Sequence, residues 1–231
     1  MNAMEKDEPS SRSVACGLPE ANRIVPSAES AAVDHSIVSP DDAIFRLKEG
    51  NRRYTSGNLQ HPHQSSENRA ELVESQHPFA VIVGCADSRV PPEILFDQGL
   101  GDLFVLRVAG NVVGDLGLGS VEYAVEHLAV RLVVVLGHQG CGAVKAAKAT
   151  ITARGKAPGH IQSLVIAIRP AVEATTSDDL EMTVKRNVKD VVQTLRSSTP
   201  VLNSKVDAGE LCVIGAYYSL DTSAVTFLDE K

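Results

Sequence analysis

Three short, largely apolar runs, at residues 79–83, 103–108 and 132–136, recur along the middle of the chain, and their spacing restricts it to few architectures. None of them alternates apolar with polar residues as a strand with one wet face does. Each suits a strand covered on both faces, which is the environment of a parallel sheet. Parallel neighbours need a crossover, and residues 120–128 supply one, with Val121, Ala124 and Leu128 at helical spacing. Further on, residues 180–195 read as a long surface helix, 211–214 as another buried strand and 224–228 as a final edge strand. The expected fold is α/β: a mostly parallel central β-sheet flanked by helices on both faces.

Residues 1–38 are rich in Ser, Ala, Glu and Pro and hold no aromatic residue, so they offer little to bury and read as a flexible N-terminal tail. The signals change at Ser39-Pro40-Asp41-Asp42. Ser39 suits a helix cap, Pro40 the first helical position, and the two aspartates the positive end of the helix dipole. Ala43, Ile44 and Leu47 give this helical arm an apolar stripe, and Gly50 is expected to end it or weaken it. An arm of this kind packs on a partner surface, which points to an oligomer. Residues 39–231 suffice for one domain with one core.

Twenty-two Lys and Arg against 29 Asp and Glu give a net charge of −7, which argues against nucleic acid, whose binding rests on phosphate neutralisation. The aliphatic run at 132–136 is far short of the roughly 20 residues needed to span a bilayer as a helix, so no membrane is expected. The chain opens with Glu5, Asp7 and Glu8 where a secretory signal would carry basic residues, so a cytoplasmic location is the expectation.

Chemistry concentrates in two places, Cys85-Ala86-Asp87-Ser88-Arg89 and Gly137-His138-Gln139-Gly140-Cys141-Gly142. Cys85, His138 and Cys141 offer two thiolates and an imidazole, a donor set that suits tetrahedral zinc. Three protein ligands leave a fourth position for water or substrate, the mark of a catalytic rather than a structural site. Cys85 follows the first strand and His138 the third, at the carboxyl ends of a parallel sheet, where ligands bind. Cys141 stands at the entrance to a helix beginning near Gly142, where dipole and free amides favour the thiolate.

These blocks, with Arg107-Val108-Ala109-Gly110-Asn111 and Glu122-Tyr123-Ala124, resemble the β-class carbonic anhydrases over about residues 40–228. The resemblance rests on four separated blocks in the family's order and spacing. It implies reversible hydration of carbon dioxide to bicarbonate by water activated on one zinc ion per chain, held by Cys85, His138 and Cys141. In that reading Asp87 accepts a hydrogen bond from the attacking oxygen, and Arg89 keeps Asp87 ionised and oriented. Gln76, nine residues before Cys85, and Tyr123, fifteen before His138, resemble the substrate contacts of the plant-like subgroup, with the amide of Gly142 as a further contact. Phe104 and Ala109 would line the site as apolar wall. The other subgroup's bicarbonate pocket uses a tryptophan where this chain has Ile82, so no such pocket is expected even though Arg107 is present. The family also implies a homodimer or higher homo-oligomer, with the arm after Ser39 crossing the neighbour and Gln76 and Tyr123 reaching across the interface.

Each residue also has a plainer reading. A single Cys85 would be a core thiol; Asp87 and Arg89 would be a turn-stabilising ion pair; Tyr123 would pack its ring in the core. His35, His61, His63, His77, His127 and His160 read as surface or capping residues, and no proton shuttle is assigned. Two other functions fit the donor set: hydrolysis of carbon disulfide or carbonyl sulfide on the same scaffold, and a non-enzymatic zinc or thiol redox protein. The second leaves Asp87 and Arg89 without a task.

Overall fold

The computed structural model describes residues 37–176 and 178–228, so nearly all of the expected tail lies outside the described residues. The first half of the fold contains α1 (Pro40–Ser56), α2 (Ser66–Glu71), β1 (Ala80–Gly84), α3 (Pro92–Leu95), β2 (Leu103–Arg107), a one-turn 3-10 helix (Ala109–Asn111) and α4 (Asp115–His127). The second half contains β3 (Leu132–His138), α5 (Gly142–Thr152), α6 (Ile161–Glu173), α7 (Leu180–Arg196), α8 (Val201–Asp207), β4 (Cys212–Tyr218) and β5 (Val225–Phe227).

The strands form one sheet in the order β2-β1-β3-β4-β5, parallel except for β5, which runs antiparallel to β4 at the edge. Side chains on a strand alternate between faces, and the core follows that period. Ile82, Leu132, Val134, Leu136 and Ile214 pack with Ile44 and Leu47 of α1 and with Leu95 and Phe96. The intervening Val81, Val83, Val133, Val135 and Val213 pack on the opposite side with Val121 and Ala124 of α4 and Val188, Val192 and Leu195 of α7. Each fully buried aliphatic side chain contributes about 2 kcal/mol relative to exposure. The α/β architecture with helices on both faces is therefore the observed one.

Three expectations need correction. The apolar stripe of α1, expected to pack on a partner surface, is buried in this chain's own core through Ala43, Ile44 and Leu47. β1, β3 and β4 are buried along their whole length, but every residue of β2 is only half-buried, because β2 is an edge strand with β1 as its single neighbour. Helix α1 begins as expected, with the Ser39 hydroxyl accepting from the Asp42 amide, yet it does not stop at Gly50. It continues to Ser56 and is capped by Gly57 in the left-handed region at φ 72°, whose amide reaches the Arg53 and Tyr54 carbonyls. Gly50 serves packing instead: a Cβ there would lie 1.7 Å from the carbonyl oxygen of Phe96, so the missing side chain lets α1 seat against the end of α3. Among the described residues no helix is long and apolar enough to cross a membrane.

Candidate metal centre

β1 and β3 are hydrogen-bonded neighbours with Gly84 opposite Leu136, so both chains leave the sheet side by side at its carboxyl edge. Cys85 is the first residue beyond β1, and His138 is the last of β3. Cys141 then caps α5. Their three donor atoms lie within 4.8 Å of one another, and all three residues are buried. The two sulfurs are 4.0 Å apart, close to the roughly 3.8 Å that two zinc–sulfur bonds of about 2.3 Å subtend at a tetrahedral ion.

Protonation at the site can be read from the partners. His138 Nδ1 lies 2.9 Å from the Gln139 carbonyl, which can only accept, so Nδ1 carries the proton and Nε2 presents its lone pair. Nε2 is buried and has no hydrogen-bond partner in the protein. A buried nitrogen lone pair beside two sulfurs is costly unless it meets a cation, and this orphaned atom is what fits the cluster to a metal. The Gly110 amide points at Cys85 Sγ from 3.2 Å. Cys85 is drawn below the usual thiol range, first by the hydrogen bond from Cys141 and then, against burial, by the Gly110 and Asp87 amides. Cys141 moves the opposite way because a single proton is shared between the two sulfurs, although the Ala143 and Val144 amides at the start of α5 favour its thiolate. A cation that replaces that proton lets both sulfurs ionise.

Beside the cluster, Arg89 donates to both carboxylate oxygens of Asp87, and its backbone amide adds a third bond at 3.0 Å. That pairing, stronger than the opposing burial, holds the Asp87 carboxyl far below its ordinary value. Asp87 Oδ2 stands 3.9 Å from His138 Nε2. The loop that carries Asp87 is clamped from β2: Arg107 donates to the carbonyls of both Cys85 and Asp87. Behind Cys85, Gly110 sits at φ 75°, where a Cβ would meet Ile168 Cδ1 at 2.9 Å, and Asn187 of α7 holds its carbonyl at 2.9 Å.

A carbonic anhydrase family model matches residues 80–225. The chain belongs to this family. Carbonic anhydrase 2 of Mycobacterium tuberculosis is 44% identical over 194 residues, covering 83% of this chain and 94% of that protein. The carbonic anhydrase of Mycolicibacterium smegmatis is 42% identical over 189 residues, covering 79% and 90%. The fold matches the Coccomyxa β-carbonic anhydrase with a TM-score of 0.62 at 28% identity, covering 85% of this chain and 87% of that one. This β-class carbonic anhydrase is a zinc-family enzyme whose reaction is the hydration of carbon dioxide.

The structure brings Cys85, His138, Cys141, Asp87 and Arg89 together, with Gly142 next to them at the first turn of α5. Phe104 and Tyr123 lie elsewhere in the protomer. Phe104 is paired with Val81, about 13 Å back along the strands from the Cys85 row. Tyr123 is 49% exposed on α4, with its ring 6.5 Å from Phe104 and 5.0 Å from His127, so it is neither core nor wall of the metal cluster in its own chain. Gln76 is exposed in the loop before β1. Among the histidines outside the cluster, His63 pairs with Asp102 at 2.8 Å and His160 precedes α6, while His35 lies outside the described residues.

Proposed function

We propose that one zinc ion per chain is held by Cys85 Sγ, His138 Nε2 and Cys141 Sγ, and that this site carries the enzyme's hydration of carbon dioxide. The observation that supports it is the unpartnered, buried His138 Nε2 within a donor-sized cluster. Zinc, when bound, lowers the pKa of water toward about 7 and so supplies a nucleophile near neutral pH.

The protein's own residues do the rest. Asp87, kept ionised by Arg89, is an acceptor only; it takes a hydrogen bond from the attacking water and leaves a lone pair aimed at carbon. Arg89 positions Asp87, and Arg107 positions the loop beneath both. The Gly142 amide, at the start of an eleven-residue helix, is the candidate donor to the negative charge that grows on the product oxygens. Asp87 is held by Arg89 rather than swung onto the ligand cluster, which supports the plant-like form of the site.

Phe104, Tyr123 and Gln76 fit this reading as contacts supplied across a homodimer or higher assembly. The half-buried edge strand β2 and the exposed ring of Tyr123 on the adjoining helix support that assembly. The reading retains a cytoplasmic location for the enzyme.

The test is stopped-flow hydration of carbon dioxide by metal-quantified protein from neutral to alkaline pH. Turnover is expected to scale with zinc content and to rise with pH. Protein carrying one zinc per chain yet showing no turnover at any pH would overturn the reading and direct attention to carbon disulfide hydrolysis.

A further inference from the structure

His138 is aimed through one carbonyl. Its Nδ1–H donates to the backbone oxygen of Gln139, so the direction of Nε2 follows from where residue 139 is held. The peptide after a strand is free to turn unless its neighbours fix it. Gln139 is fixed on several sides. Its amide extends the β3–β4 ladder to the Tyr218 carbonyl at 2.8 Å. Its Oε1 accepts from the Asp221 amide at 3.1 Å and the Ser219 hydroxyl at 3.3 Å, and its Nε2 donates to the Asp221 carboxylate at 2.6 Å.

All of these partners lie at the end of β4 or in the turn from β4 to β5, and that turn is itself braced. The Ser219 amide donates to the Ala224 carbonyl, and the Ser223 amide donates to the Ser219 carbonyl, both at 2.9 Å. Asn51, buried on α1, donates to the Ser223 carbonyl at 3.1 Å and accepts from the Val225 amide at 2.9 Å. An unbroken series of hydrogen bonds therefore runs from α1 through the turn and Gln139 to the imidazole.

We propose that Gln139 and Asp221 are positioning residues for His138: their side-chain bridge locks the carbonyl that sets the tautomer and direction of the imidazole, and so sets how tightly and in what geometry the metal is held. The inference rests on the zinc reading above and deepens it. Loss of an outer partner of a metal-binding histidine costs 10–100-fold in metal affinity. This bridge acts one bond further out, so about tenfold is expected.

The experiment compares full-length wild type with Gln139→Ala, Asp221→Ala and Asp221→Asn, the last of which keeps an acceptor for Gln139 Nε2. Zinc-loaded proteins are titrated with a chromophoric chelator, cobalt-substituted proteins are examined for their visible ligand-field bands, and metal-free proteins are melted. Both alanine variants should release zinc about tenfold more readily and shift the cobalt bands, while Asp221→Asn stays near wild type and the metal-free melting temperatures agree. Wild type that binds neither metal would sink the zinc reading itself. Wild type that binds both, with alanine variants unchanged in zinc release and cobalt spectrum, would overturn the positioning role alone. So would a loss of affinity matched by an equal loss of stability in the metal-free proteins.

Discussion

Arg89 grips both oxygens of the Asp87 carboxylate, Nε to Oδ1 at 2.9 Å and a terminal nitrogen to Oδ2 at 2.8 Å. A planar guanidinium matches a carboxylate in this way and an ammonium does not. Arg89→Ala should therefore keep zinc while lowering kcat/KM about 10–100-fold, with Arg89→Lys recovering little of it. Asp87→Asn should likewise keep zinc and lose rate. Metal analysis alongside stopped-flow kinetics checks both, and full activity in either alanine or asparagine variant would remove the assigned roles.

Cys85 and Cys141 are buried donors facing each other, so neither can be replaced without loss at the metal. Cys85→Ser should lose zinc and activity together. Zinc added to metal-free wild type should stabilise it through linkage by about 2.7 kcal/mol at a hundredfold excess over Kd, and so raise its melting temperature. The Cys85→Ser protein should melt at the same temperature with or without zinc, which differential scanning calorimetry would show.

Asp97 is 1% exposed at its side chain and meets Arg53 at 2.6 Å and the amides of Gln60 and His61. Burial raises its carboxyl, but Arg53 and the two amides outweigh that and hold it below the ordinary range. A group with a lowered folded pKa stabilises above its unfolded value of about 3.9 and loses that contribution as pH falls through the folded value. Asp97→Asn should cost about 2 kcal/mol at pH 7, and the gap from wild type should close below about pH 4. Urea denaturation across that range decides it.

Gly50→Ala reverses the sign expected from helix propensity. In an exposed helix interior the change would stabilise by about 1 kcal/mol. Here the new methyl meets the Phe96 carbonyl, and the expected result is a loss of about 3 kcal/mol in denaturant midpoint experiments, with zinc content unchanged.

Much of this is legible in the sequence itself. Uninterrupted runs such as 132–136 announced doubly covered strands, and a Cys followed later by His-x-x-Cys at strand ends announced the donor set, because both signals are local. What escaped depends on neighbours. Gly50 looked like a helix stop because the carbonyl it accommodates belongs to residue 96. Helix α6 carries Val165, Ile168 and Ala171 at the spacing of one buried face, a signal that Pro170 within it weakens. Strand β2 has the composition of a central strand, and only the sheet order reveals it as an edge. Phe104 and Tyr123 were grouped with the site by resemblance, and the chain sets them together but away from the cluster.

Part of the support behind the donors comes from the last third of the chain. All three ligands are present by residue 141, yet Asn187 holds the Gly110 loop behind Cys85, and residues 218–221 hold the loop that aims His138. On the zinc reading, a chain shortened after residue 141 would carry all three donors without the contacts that hold them in place, and it should bind the metal more weakly than the full chain.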